Sequence, residues 1–75
     1  GSFSPDSKMI AFSSTKSGAK NIWIKQVASG EAVQITKDEF RSENPIWSPN
    51  GDELAYYSTK GDKPGFWRIP ILGGS

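Results

Sequence analysis

Cysteine and histidine are both absent from the 75 residues of this chain. Their absence removes zinc ribbons and fingers, a disulfide framework, histidine-ligated haem and any nucleophile built on a Ser-His-Asp or Cys-His pair. Charge of one sign is lacking too: nine Lys and Arg stand against eight Asp and Glu, a net charge of +1. This balance leaves no polybasic footprint, so no nucleic-acid partner is expected. Apolar runs extend over only a few residues, far short of the roughly 20 needed to span a bilayer, and no membrane insertion by this segment is expected. Gly1-Ser2 is expected to be a cloning scar rather than part of a signal peptide. What remains, 35% hydrophobic and 23% charged residues, is an ordinary globular composition with room for one small domain at most.

What the chain does have is self-similarity. It superposes on itself without a gap at a shift of 44 residues: Phe3-Ser4-Pro5-Asp6-Ser7 falls on Trp47-Ser48-Pro49-Asn50-Gly51, and Ile10-Ala11-Phe12 on Leu54-Ala55-Tyr56. The register holds onward, with Ser14-Thr15-Lys16 on Ser58-Thr59-Lys60, Ile22-Trp23 on Phe66-Trp67, Val27 on Ile71 and Gly30 on Gly74. Of the 29 pairs counted from Phe3 onward, 8 are identical, and most apolar positions stay apolar. An internal period of this kind decides the architecture.

Within each unit the short runs are strand formers: Met9 to Ser13, Asn21 to Ile24 and Val33 to Thr36 in the first, Glu53 to Tyr57 and Phe66 to Ile69 in the second. No helical period of useful length competes. The punctuation is turn chemistry, at 5–8, 16–20, 28–31, 49–52 and 61–65. Asn50-Gly51 predicts a tight type I′ hairpin turn, with Pro5-Asp6-Ser7-Lys8 making the equivalent turn less ideally. Four short strands in 40 to 45 residues is the pattern of one β-propeller blade; ankyrin and tetratricopeptide units are shorter and helical, and leucine-rich repeats are shorter still. Blades are covered on both faces, which accounts for the blurred alternation of Ile22-Trp23-Ile24.

These residues resemble the WD40-like repeats with a Ser-Pro-Asp signature found in TolB-type propellers. The resemblance rests on Pro45-Ile46-Trp47-Ser48-Pro49-Asn50-Gly51, Leu54-Ala55-Tyr56, Phe66-Trp67 and Gly73-Gly74, and in the first unit on Ile10-Ala11-Phe12, Ile22-Trp23 and Ile35-Thr36. Asn50 replaces the usual Asp and Ser7 the usual Gly. The expected fold is therefore all-β, a β-propeller fragment of four-stranded antiparallel blades on a 44-residue repeat. Residues 3–36 are expected to form the first blade (the end of strand A, then B, C and D), 37–44 an inter-blade crossing loop, and 45–75 strands A, B and C of a second. About 1.7 blades cannot close a ring that needs four to eight. The remaining blades come either from a longer parent chain or from copies of this one.

Several residue groups invite chemistry. Trp23 and Trp67 occupy equivalent places in the repeats, which favours packing over ligand stacking; Trp47 sits near the inner strand. Asp6, Asn50, Asp52 and Asp62 could suit a hard cation, but no EF-hand spacing is present and turn residues bonding their own backbone are the better account. Glu39 and Glu43 form a carboxylate pair on one loop, read as solvated charge rather than as an acid–base pair. No Gly-x-Ser-x-Gly elbow or phosphate-cradling loop exists, so no catalytic residue, metal or cofactor is expected. In a propeller the crossing loop and the two B-to-C loops emerge on one face, and loops on a rigid scaffold are where binding resides. The candidate partner-binding residues on that face are Lys16, Lys20, Glu39, Phe40, Arg41, Glu43, Lys60 and Lys63. Phe40 beside Arg41 is either an interface anchor or a ring tucked under its own loop.

The resemblance implies a non-enzymatic scaffold for a protein or peptide partner in a larger propeller. The implied setting is the sensor part of a bacterial signalling protein, periplasmic or extracytoplasmic, although the lack of Cys fits either side of the membrane. Rival expectations are the substrate-gating propeller of a prolyl-oligopeptidase-like or tricorn-like peptidase, and an engineered fragment that self-assembles. Fold alone is a weak guide among these.

Overall fold

Short runs of β-branched and aromatic residues separated by Pro, Gly and Ser turns yield seven strands among the described residues. The computed structural model describes residues 1–37, 40–60 and 64–71. Strands β1 (Ser2–Phe3), β2 (Met9–Ser14), β3 (Asn21–Gln26) and β4 (Ala32–Gln34) form one antiparallel sheet in chain order. Strands β5 (Ser42–Trp47), β6 (Glu53–Ser58) and β7 (Gly65–Pro70) form a second. The architecture is all-β, as expected from the repeat.

Most strand ends fall within two residues of expectation, and two differences have a clear local cause. Strand β5 begins at Ser42, inside the segment expected to be crossing loop, because Ser42 and Glu43 already pair with Ser58 and Tyr57. The register then slips before Ile46, which pairs with Ala55. Asn44, at φ 56°, and Pro45 together form this bulge. A bulge suits them because Pro has no N–H for the ladder and Asn tolerates the left-handed region. Strand β4 ends at Gln34 rather than Thr36, since the N–H groups of Ile35 and Thr36 both turn to the carbonyl of Ile22, at 2.8 and 3.3 Å.

The Ser-Pro turns are built alike but are not type I′. In each, the third residue after Ser returns its N–H to the Ser carbonyl: Ser7 to Ser4 at 2.9 Å and Gly51 to Ser48 at 3.0 Å. Only the last residue has positive φ, 62° at Ser7 and 79° at Gly51. Proline holds φ near −65°, so Pro49 enforces an ordinary type I turn, and Asn50 is not pushed into the left-handed region that type I′ demands. The Ser hydroxyls close the loop by accepting from the N–H of Met9 and of Glu53, each at 3.0 Å.

The two sheets pack face to face. Met9, Ala11, Ile22 and Ile24 from the first meet Trp47, Leu54 and Tyr56 from the second, with Ile35, Ile69 and Ile71 at the margin. Cross-strand pairs Ala11–Ile24, Trp47–Leu54 and Tyr56–Trp67 show which residues share a face. The tryptophans depart from expectation. Trp47 is the most buried, 8% exposed, and its ring N–H donates to the Ser2 carbonyl across the sheets at 2.8 Å, whereas Trp67 is 39% exposed. Trp47 lies on β5, against the other sheet, while Trp67 lies on β7, which pairs among the described residues with β6 alone.

Candidate interaction face

The loop between β2 and β3 meets the entry to β5 through backbone hydrogen bonds. The Lys20 carbonyl accepts from Ser42 N–H at 2.7 Å, and Arg41 exchanges bonds with Thr59, its N–H to the threonine hydroxyl and its carbonyl from the threonine N–H, both 3.1 Å. Behind them, buried Thr36 accepts from Ile22 N–H at 2.9 Å and donates to Asn21 Oδ1 at 2.8 Å. Asn21 Nδ2 reaches Ser17 Oγ at 3.3 Å and the Ala19 carbonyl at 3.4 Å, so the loop is shaped from within.

On this support, Glu43 binds two cations. Arg41 Nε lies 3.0 Å from Oε2 and Lys20 Nζ 3.4 Å from Oε1. The Arg41 hydrogen bond, aided by Lys20 and opposed by partial burial, holds the Glu43 carboxyl below its ordinary range. An open depression of about 430 Å³ adjoins them, lined by Thr15, Ala19, Lys20 and Arg41. Phe40, which precedes Arg41 in the chain, is 37% exposed.

Of the eight residues expected on this face, Lys20, Arg41 and Glu43 come together as one cluster. Lys16 and Lys60 instead lie over the rings of Trp23 and Trp67, 5.4 and 4.5 Å from the centroids. The same cation–π pair thus recurs 44 residues apart, covering the exposed Trp faces. Glu39 and Lys63 lie outside the described residues. Thr15, Ala19, Thr36 and Thr59 were not singled out from sequence, although Thr15 and Thr59 are among the identical repeat pairs. A carboxylate kept ionised by two cations has the wrong poise for a general acid.

The oxygen-rich turns are satisfied locally. Asp6 Oδ1 accepts from the Ser4 hydroxyl at 2.7 Å and from Lys8 N–H at 3.0 Å, and the Ser48 hydroxyl lies 3.1 Å from Asn50 Oδ1 and 3.0 Å from Asp52 Oδ1. Asp62 lies outside the described residues. Among the described residues no three acidic, His or Cys side chains gather to hold a metal, and no helix is long and apolar enough to cross a membrane.

Two antiparallel sheets repeated at 44 residues and packed face to face define the class of a β-propeller, of which this chain supplies adjacent blades. Within that class the chain is similar to a segment of the TolB propellers. Over 99% of its length it superposes on TolB from Acinetobacter baumannii with a TM-score of 0.84 and 27% identity, covering 18% of that chain. The Tol-Pal system protein TolB of Francisella tularensis is 32% identical over 60 residues, 80% of this chain and 14% of the relative. A Bacillus subtilis protein named as an uncharacterized peptidase, YuxL, is 33% identical over 79 residues, 96% of this chain and 12% of the relative. No family model matches the chain. The chain therefore spans about an eighth of the length of these two curated relatives.

Proposed function

We propose that the chain is a non-enzymatic interaction scaffold within a TolB-like propeller, and that a protein or peptide partner meets the face carrying Lys20, Phe40, Arg41 and Glu43. The observation behind this reading is the anchoring of the Arg41 backbone to Thr59 and of Ser42 to Lys20, beneath an Arg41 side chain that is itself 60% exposed. A fixed backbone leaves only side-chain freedom to be lost on binding, and exposed Arg and aromatic side chains are typical anchors. The extracytoplasmic sensor setting implied by the resemblance is the context in which this scaffold would operate.

The test is a peptide selected from a display library against the intact chain and titrated into the wild type and the Phe40→Ala/Arg41→Ala double variant. Loss of the anchors is expected to weaken binding by about tenfold or more, while the fold is kept and the melting temperature falls only by the small share that the exposed Arg41–Glu43 pair contributes. Equal affinity for both forms overturns the reading. The YuxL match over nearly the whole chain favours one second reading, a propeller that admits peptides to a separate hydrolase domain. There the same double variant, placed in the intact two-domain peptidase, should change which peptide lengths are cleaved.

A further inference from the structure

The chain holds three asparagines, and only one is placed to react with its own backbone. Asn44 precedes Pro45, which has no N–H. Asn21 precedes the β-branched Ile22, is 2% exposed, and its side chain is held by Ser17, Ala19 and Thr36. Asn50 is exposed and precedes Gly51 in the second Ser-Pro turn. With no Cβ on the next residue, an Asn-Gly pair meets the least steric resistance to closing a five-membered ring on itself.

Neither member of this pair is free to change. Gly51 has a φ of 79°, and a Cβ on it would lie 3.3 Å from Pro5 Cδ. Asn50 stands where the first repeat carries Asp6. Asp6 accepts from the Ser4 hydroxyl at 2.7 Å and from the Lys8 N–H at 3.0 Å, and Lys8 adds a cation two residues on. In the second turn the place of Lys8 is taken by Asp52. The Ser48 hydroxyl lies 3.1 Å from Asn50 Oδ1 and 3.0 Å from Asp52 Oδ1, yet it has a single proton to donate. Asn50, Gly51 and Asp6 also line one depression of about 150 Å³. A neutral side chain at position 50 spares this corner a third carboxylate, and like charges gathered at one site disfavour ionisation.

We propose that Asn50 is a self-modification site, silent while its turn is closed. The Gly51 nitrogen loses its proton and bonds to Asn50 Cγ; the Cγ–Nδ2 bond breaks, and the side-chain nitrogen takes up a proton and leaves as ammonia. Solvent water then opens the succinimide ring at either carbonyl, giving aspartate or, with one extra methylene in the backbone, isoaspartate. The closed turn opposes the first step because the Gly51 N–H is donated to the Ser48 carbonyl at 3.0 Å. Until that bond is released, the nitrogen cannot shed its proton and turn to Cγ. Neither product restores the turn: aspartate sets its charge against Asp52 and Asp6, and isoaspartate lengthens the loop that the Gly51–Ser48 bond closes. The modification therefore records, irreversibly, how often this turn opens. It is independent of the loop-face reading, since the Ser-Pro turns lie at the opposite ends of β2 and β6.

The intact chain is incubated in mildly alkaline buffer, with and without urea above its unfolding midpoint, and the products are mapped by peptide mass spectrometry. Conversion is expected at Asn50 ahead of Asn21 and Asn44, and about tenfold or more faster in urea, where the Gly51 hydrogen bond and the turn around it are lost. Equal rates in the two conditions, or conversion that begins at Asn21 or Asn44, overturn the proposal. Asn50→Asp mimics the first product and is expected to lower the urea midpoint. That loss should vanish when Asp52→Lys is added, which copies Lys8 of the first turn. Should Asn50→Asp alone fail to fold, the double variant compared with Asp52→Lys alone supplies the same reading. A loss of equal size beside the native Asp52 and beside lysine overturns the charge argument.

Discussion

Ser7 and Gly51 occupy the same turn position in the two repeats, with φ of 62° and 79°. A side chain in the left-handed region costs about 1–2 kcal/mol, part of which glycine gives back as unfolded-state freedom. Ser7→Gly is therefore expected to stabilise the chain by up to about 1 kcal/mol, read as a higher urea midpoint. Gly51→Ser should destabilise by at least that much, because a Cβ there also lies 3.3 Å from Pro5 Cδ. Thr36 makes a second residue-scale case. Thr36→Val keeps the shape but strips the acceptor from the buried Ile22 N–H, at a cost of about 1–3 kcal/mol. Ser42 is the opposite: its buried hydroxyl has no partner among the described residues, so Ser42→Ala should be neutral or stabilising in the same urea experiment. The Gly and Pro positions were legible from sequence, whereas the role of Thr36 was not. Ile35-Thr36 belongs to the repeat pattern in sequence, but only the return of the chain beside Ile22 makes the Thr36 hydroxyl a cap.

At the scale of elements, the Ser-Pro turns show how one motif absorbs different residues. The Ser4 hydroxyl, then the Lys8 N–H, hold the Asp6 carboxyl below its ordinary range, as Arg41 chiefly does for Glu43. A carboxyl with a lower pKa folded than unfolded contributes its full stabilisation above the unfolded pKa, near 4, and loses it as pH falls through the folded value. The melting temperature is thus expected to hold from pH 7 to about 5 and decline below about 4. Asp6→Asn, which copies the residue already present at Asn50, combined with Glu43→Gln, should flatten that decline; an unaltered acid limb would show that these two carboxyls are not its source. The strands themselves were legible from sequence to within two residues, except β5. There the bulge at Asn44 and Pro45 lets the strand start at Ser42, and a bulge leaves no periodic signature.

For the whole molecule, the contact between the two sheets carries the core. Leu54 is fully buried in it, and Leu54→Ala is expected to cost about 2–5 kcal/mol. Its repeat counterpart Ile10 faces outward and is half-buried, so Ile10→Ala in dilute solution should cost clearly less. Comparing the two by urea unfolding measures how unequal the faces are in a single copy. The candidate interaction face belongs to this scale too. Lys20, Arg41 and Glu43 are separated by up to 23 positions and meet only because the second sheet docks against the first. Sequence placed them on one side through the expected fold together with Lys16 and Lys60 as candidate partner-binding residues, and in the structure those two lie over the rings of Trp23 and Trp67.

The period, the strand content, the sites of the turns and the propeller class were settled by the order of residues, because they follow from backbone sterics and short-range alternation. Which face of each sheet is covered was not. The repeat makes Ile22 and Phe66, or Trp47 and Phe3, equivalent in pattern, and hydrophobicity is indifferent to which apolar surface leaves water first. The docking of the two sheets in space breaks that equivalence, burying one member of each pair and leaving the other exposed.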